Sequence, residues 1–373
     1  MAASSKIRVG IVGASAGRGF ASIAHIPALR ALPQFEIVAV CTARQQSAEA
    51  AARHYGVPLA FSDPEKLAQH PDVDLVTVSV KVPDHYRPVM AAIEAGKHVY
   101  CEWPLGRNTE EAVQMLDAAE RRGVRHAVGL QGQLSPTLNY VKDLVAEGYV
   151  GRVLTATMIG CAPNWGNTID RAYQADFASG ANLMTITGGH QTDALCYCLG
   201  EFRELSAFAV RQRDRIPLHG TGDLIPLTAP DQLAVSGIVG DGAVASFQIR
   251  GGMARGTEFL FEIHGSDGDL VLASTTGGSM QRQELSLRGA QGPNTGGKPT
   301  KLADLPIPAK YRHVPDSVPS DSPYNVAQLY AKLGESIRNG TPASPSFDAA
   351  VRRHRLIDTI VRASDTGQKQ RCG

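Results

Sequence analysis

A dominant sign of charge, long apolar runs and clustered cysteines are all missing from this 373-residue sequence. Its 37 Lys and Arg face 36 Asp and Glu, a net charge of +1. There is therefore no basic field to hold nucleic acid and no acidic tail. No segment reaches the roughly 18 apolar residues of a membrane span. The start, "MAASSKIRVGIVG", has no apolar run of the secretory kind. These absences predict a cytoplasmic protein with no membrane and no direct nucleic-acid partner. The six cysteines, at 41, 101, 161, 196, 198 and 372, form no CxxC pair. They read as reduced, buried thiols, with neither a disulfide framework nor a metal site. At this length and 43% hydrophobic content, two domains are expected.

What is present is alternation. "IRVGIVGA", "FEIVAVCTA", "DLVTVSV", "HVYCEWPL" and "RHAVGLQG" are short apolar runs that read as buried parallel strands. Helical patterns separate them: about Ser22 to Ala31, "SAEAAARHYG" closed by Gly56, "YRPVMAAIEAG", and a helix with Thr109 as its expected N-cap that ends at Gly123. This predicts a doubly wound parallel sheet of Rossmann type over residues 1–132. From 133 the texture changes. After the helix "SPTLNYVKDLVAEGYVG" come strands joined by turns, with hairpin signals at "GDG" (240–242) and "SDG" (266–268). Residues 133–373 are therefore expected to form an α+β domain with an open, mostly antiparallel sheet. Long loops are expected over 275–321, with closing helices near 323–338 and 347–364.

The turn after the first strand reads "GASAGRGFAS". Strand, glycine turn and helix make a dinucleotide site, because glycines let the backbone approach a pyrophosphate and the helix start supplies amides. Gly13 is in place, Ser15 replaces the second glycine of GxGxxG, and Gly17 and Gly19 come later, so the loop is longer than usual. After the second strand, Thr42 stands where an NAD-specific fold carries an acid, and Arg44 follows. A hydroxyl and a guanidinium suit a 2′-phosphate, which favours NADP(H) over NAD(H).

Further motifs carry a resemblance to a family. "EAGKHVYCEWPL" resembles the "EAGKHVLCEKPL" of the Gfo/Idh/MocA oxidoreductases, the glucose–fructose oxidoreductase and inositol dehydrogenase family. "HIPAL", "EGYVGRV", "GGH…D…LG" and "FEIHGSDGDLVL" are similar to family patterns too, so the resemblance spans nearly the whole chain. It implies a nucleotide-binding Rossmann domain and a second domain whose sheet joins subunits into a homo-oligomer. The family's proton chemistry uses the lysine of EKP and a D-x-x-x-H pair. Here Trp103 and Ile186 stand at the lysine and aspartate positions, and His190 remains. "GASAGRGFASIAHIPAL", "CEWPL", "LQGQLSP" and "TITGGHQTD" resemble a narrower subgroup, that of the fungal galactose-regulon co-repressor. That subgroup keeps the fold, lacks the lysine and acts by binding protein.

The cofactor-facing set implied is Gly13, Ser15, Gly17, Arg18, Gly19, Phe20, Thr42, Arg44, Val80, His85, Glu102, Trp103 and Gln131. Catalytic candidates are His190, Lys81 and Tyr173. His190 is read as starting a helix, whose dipole would favour neutral imidazole, with Asp193 one turn on to orient it or support the helix. Lys81 follows the third apolar strand; catalysis, a phosphate contact and plain solvation all fit it. Tyr173 and Trp165 lie where the resemblance places substrate-side aromatics. The expected activity is hydride transfer between a nicotinamide and a secondary alcohol or ketone of a sugar-like or other cyclic small molecule. The alternative is a non-catalytic, NAD(P)-binding transcriptional co-regulator with a protein partner.

Overall fold

The computed structural model describes residues 6–163, 165–252, 255–274, 277, 279–282, 285–292 and 300–373. The chain forms two compact units: Met1–Gln131 with His313–Arg352, and Gly132–Arg312 with Arg353–Gly373.

The first unit runs β1 (Ile7–Val12), α1 (Ile26–Ala31), β2 (Phe35–Cys41), α2 (Gln45–Tyr55), β3 (Leu59–Phe61), α3 (Pro64–Gln69), β4 (Leu75–Val78), α4 (Tyr86–Glu94), β5 (His98–Cys101), α5 (Thr109–Arg122) and β6 (His126–Val128). Among the described residues its six strands lie in the order β3-β2-β1-β4-β5-β6, all parallel. Val9, Ile11, Leu75, Val78 and Val99 are fully buried, as apolar strands covered on both faces must be. Strand order reverses between β1 and β4, and ligands of open α/β sheets bind outside the carboxyl ends of the strands at such a point.

Two local expectations change. Asn108, not Thr109, is the N-cap of α5: its side chain accepts the Glu111 amide at 2.9 Å. β3 and α3 were not expected. Three residues are too few to show a period, and α3 rests on the Asp63 cap followed by Pro64.

The second unit contains α6 (Pro136–Ala146), β7 (Val153–Ala162), α7 (Gly189–Leu199), β8 (Phe202–Val210), β9 (Arg215–Pro217), β10 (Leu224–Pro226), β11 (Gln232–Val239), β12 (Ala243–Gly251), β13 (Phe259–Gly265), β14 (Gly268–Ser274), β15 (Ser286–Gln291) and β16 (Ala303–Asp304). The chain then passes through α8 (Pro323–Asn339), α9 (Phe347–Thr366) and β17 (Gln370–Arg371). Nine described strands make one sheet, β16-β15-β14-β13-β7-β12-β11-β8-β17, antiparallel except between β7 and β12. Helix α7 covers one face so closely that a Cβ on Gly160 would meet the Gln191 amide at 1.9 Å. The other face carries Phe208 and Val244, 69% and 51% exposed.

The stretch 275–321 is not all loop, because β15 and β16 extend the sheet there; 275–276, 278, 283–284 and 293–299 lie outside the described residues. Residues His313–Arg352, expected with the second domain, pack with the first unit. The contacts are specific. The Tyr330 hydroxyl of α8 lies 2.8 Å from both His25 Nδ1 and Thr77 Oγ1. Arg125 donates to the Gly340 carbonyl at 2.6 Å.

At the start of α9, the Phe347 amide donates to Nδ1 of His126 at 3.1 Å, which requires a neutral ring. Burial, helped by the neighbouring Arg125 charge, lowers the pKa of His126 from 6.5 to about 4. Above pH 6.5 neither folded nor unfolded ring binds a proton, so His126 contributes nothing to the pH dependence there. As pH falls from 6.5 to about 4, the unfolded chain binds a proton that the folded one refuses, and stability drops by up to about 3 kcal/mol. Thermal unfolding across that range is expected to show a steeper loss for wild type than for His126→Gln; equal slopes would refute it.

Candidate functional site

The carboxyl edge of the first sheet gathers most of the expected cofactor set. β1 runs straight into Gly13, whose amide donates to the Cys41 carbonyl at 2.9 Å. Gly13 has φ +100°, and a Cβ there would lie 2.3 Å from the Ser79 carbonyl oxygen. No other residue type allows this approach of two backbones. Gly17 and Gly19 also have positive φ, with open space where a Cβ would stand.

Tyr55, the last residue of α2, clasps this loop: its hydroxyl donates to the Ser15 carbonyl at 2.7 Å and accepts the Gly17 amide at 3.0 Å. Arg30 in turn donates to the Tyr55 carbonyl at 2.6 Å. A cradle of this shape, glycine-lined and braced from behind, fits a dinucleotide pyrophosphate. Arg18 is exposed on the loop, and Phe20 packs edge-on to His25 at 5.5 Å where a π-helical turn, Ala21–His25, leads into α1.

At the end of β2, Thr42 is buried, and its hydroxyl lies 2.6 Å from that of Ser47. Both hydroxyls reach the Arg44 carbonyl, at 3.1 and 2.7 Å, while the Arg44 side chain is exposed at the start of α2. After β4 come Val80 and the exposed Lys81. His85 is buried, with Nδ1 2.9 Å from the Pro104 carbonyl and Nε2 3.2 Å from that of Val80. Burial pushes its pKa down. A neutral ring has one N–H, so His85 donates to one of these two carbonyls and braces the backbone there. After β5 and β6, Gln131 donates to both carboxylate oxygens of Glu102 at 3.0 and 2.9 Å, and Trp103 is 5% exposed. Gly129 is small for this reason: a Cβ would meet Glu102 at 2.8 Å.

The catalytic candidates divide between the units. Lys81 belongs to the first; His190 and Tyr173 belong to the second. His190 does not start a helix. Gly188 is helical (φ −59°, ψ −45°), and a π-helical turn, Met184–Gly188, runs without a break into α7. The helix start lies upstream, where the Asn182 side chain accepts the Met184 and Thr185 amides at 3.0 and 3.2 Å, so His190 does not feel the dipole of a helix start. The ring is 6% exposed. π-turns of this kind recur at functional positions.

Asp193 is engaged by the Gln133 amide at 3.0 and 3.1 Å and by Arg353 Nε at 3.6 Å, which ties α7 to α9. Tyr173 is half-buried in the turn Ile169–Ala175, its hydroxyl 3.5 Å from Gln174. Trp165 is 7% exposed and lies on Gly251, where a Cβ would meet its ring at 2.7 Å. Tyr55, His25 and Tyr330 were not expected here: Tyr55 holds the glycine loop, His25 lies against Glu102, and Tyr330 lies against His25. His25 had a signal in "HIPAL"; the two tyrosines had none, since their contacts are long-range.

No helix among the described residues is long and apolar enough to cross a membrane. Residues 7–130 match the oxidoreductase family with an NAD-binding Rossmann fold, and 136–274 match the Gal80p C-terminal domain. The dehydrogenase aclE of Aspergillus oryzae is 32% identical over 379 residues, covering 98% of each chain. A super-repressor mutant of Gal80p from Saccharomyces cerevisiae shares the fold with a TM-score of 0.85 at 24% identity, covering 98% of each chain. Levoglucosan dehydrogenase, solved with NADH and L-sorbose, does so with a TM-score of 0.82 at 23% identity, covering 99% of this chain and 100% of that one. With a glycine cradle at the switch point of one unit and a sheet domain matching the Gal80p C-terminal model in the other, the chain belongs to the Gfo/Idh/MocA family of NAD-binding oxidoreductases.

Proposed function

We propose that this protein moves a hydride between a nicotinamide cofactor and a secondary alcohol or ketone of a sugar-like or other cyclic compound. The braced glycine cradle carries this reading, together with relatives that are dehydrogenases. When bound, the nicotinamide supplies the hydride chemistry. The chain supplies binding, orientation and proton handling, with His190 as the substrate-side proton group and Lys81 and Tyr173 as further polar contacts.

The cofactor is NADP(H) in preference to NAD(H). The exposed Arg44 guanidinium suits a 2′-phosphate, and Thr42 and Ser47 beside it are not carboxylates that would repel it. Arg44→Ala is expected to weaken NADPH about 10-fold or more, the worth of a charge-assisted hydrogen bond, and to leave NADH nearly unchanged. Equal effects on the two would remove the preference.

Turnover is tested by the absorbance of reduced nicotinamide against sugars, polyols and cyclic ketones, with His190→Ala alongside. His190→Ala is expected to lose on the order of 100-fold in kcat. A second reading is a cofactor-binding co-regulator without turnover. Trp103 and Ile186 favour it, since neither side chain transfers a proton at neutral pH. Tight cofactor binding with no turnover across the panel would establish that reading and end the first.

The protein works in the cytoplasm as a homo-oligomer joined through the open face of the second sheet. The apolar Phe208 and Val244 there support this. Phe208→Asp is expected to shift the mass seen by light scattering to the monomer.

A further inference from the structure

We propose that Glu102, backed by the buried imidazole of His25, is the acid–base group that the cofactor-binding unit contributes to the reaction. This rests on the oxidoreductase reading above and amends it in one respect: the substrate proton goes to a carboxylate, in a chain whose neighbouring position 103 is tryptophan, and His190 orients the substrate oxygen by a hydrogen bond.

Glu102 follows β5 at the carboxyl edge of the sheet, one strand from the reversal between β1 and β4. Its side chain is 14% exposed, whereas His25 has no exposed surface and Gln131 is 3% exposed. Gln131 donates to both oxygens and holds the carboxylate in one orientation. Behind it stands His25, with Nε2 3.1 Å from Glu102 Oε1, a contact that is an ion pair only when the ring is protonated and in which Nε2 makes no hydrogen bond.

The other ring nitrogen of His25 continues a chain of hydroxyls. Nδ1 is 2.8 Å from the Tyr330 hydroxyl, which is 2.8 Å from that of Thr77. Both hydroxyls can donate or accept. If Thr77 donates to Tyr330 and Tyr330 to His25, the ring carries its proton on Nε2, toward Glu102; if Nδ1 donates to Tyr330, Tyr330 donates to Thr77. The network therefore accommodates either role of Nδ1 by turning two hydroxyls, with no movement of heavy atoms.

Every other group facing this pair is unsuited to share a proton with it. Glu102 also faces Tyr100, Tyr330, Cys101 and His85. Burial holds the two phenols and the thiol well above their ordinary values, and it pushes His85 down. The rings of Phe20, Tyr100 and Tyr330 enclose His25 and exclude water.

In the oxidative direction the hydride leaves the carbinol carbon for the oxidised nicotinamide. The hydroxyl O–H bond breaks, its electron pair forms the carbonyl, and its proton bonds to a Glu102 oxygen. Glu102 then releases the proton to solvent. His25 sets how readily the carboxylate accepts it. In reduction the same proton returns to the oxygen.

The test has two arms. In apo-protein labelled at histidine ring nitrogen, the resonance pair absent from His25→Gln should change its chemical shifts in Glu102→Gln; a His25 ring indifferent to Glu102→Gln overturns the pairing. In the turnover assay, Glu102→Gln is expected to lose at least about 100-fold in kcat with the cofactor still binding. His25→Gln is expected to lose about 10-fold and to move the pH optimum, which a merely structural loss would not do. Active wild type with Glu102→Gln within about twofold overturns this proposal alone. Silent wild type overturns it together with the oxidoreductase reading, and the two failures are told apart by the wild-type control.

Discussion

Replacing Arg353 by methionine is expected to destabilise the second unit by about 3–5 kcal/mol, the usual loss when one partner of a buried ion pair is removed. The Arg353 side chain is 3% exposed and that of Asp193 5%. Burial works against the Arg353 charge, but Cys196, Asp193 and Glu201 outweigh it and hold its pKa above the ordinary value. The guanidinium joins Asp193 on α7 to Glu201, just beyond the same helix. Without it Asp193 keeps the Gln133 amide but loses its countercharge. Adding Asp193→Asn should recover part of the loss, since no charge is then left buried. The two tryptophans, Trp103 and Trp165, fall one in each unit. In a Trp103→Phe background, the fluorescence of Trp165 therefore follows the second unit through urea unfolding. An unchanged midpoint in the Arg353 variant would sink the argument.

Gly13→Ala should remove most cofactor affinity, by at least about 10-fold, or 1.4 kcal/mol. Two independent penalties coincide. A φ of +100° is one that L side chains rarely adopt, and the new methyl would meet the Ser79 carbonyl at 2.3 Å. The obstacle is backbone, not the end of a flexible side chain, so β1 or the segment after β4 must shift. Either shift deforms the cradle that Tyr55 braces. Calorimetry with NADPH reads the effect directly, and Gly19→Ala is the control. Gly19 also has positive φ but open space around it, so it should lose less. Equal losses at both positions would mean that backbone conformation, not the close approach, governs the site.

Much of the first sheet was legible because buried parallel strands are continuous apolar runs and their helices close on glycines such as Gly56 and Gly123, both left-handed. The glycine loop, Thr42 and Glu102 were legible as a set because strand ends and turns are local features. What was not legible depends on contacts distant in sequence. Tyr55 meets the loop 40 positions earlier, and Tyr330 meets His25 across 305. Neither contact leaves a period or motif. His190 misled for a different reason. Two glycines before a helical pattern look like a helix start, but here both are helical and extend a π-turn.

The return of α8 to the first unit has a consequence for biosynthesis. His25, Thr77 and Tyr100 find their partner Tyr330 only after the whole intervening sheet has been made, because this unit includes residues up to Arg352. An N-terminal nucleotide-binding unit would ordinarily fold on the ribosome before the next one emerges. Here it must wait, with its central histidine unsealed, while the whole intervening sheet is translated. A fragment ending at residue 132 should therefore be protease-sensitive, and adding residues 313–352 in trans should protect it.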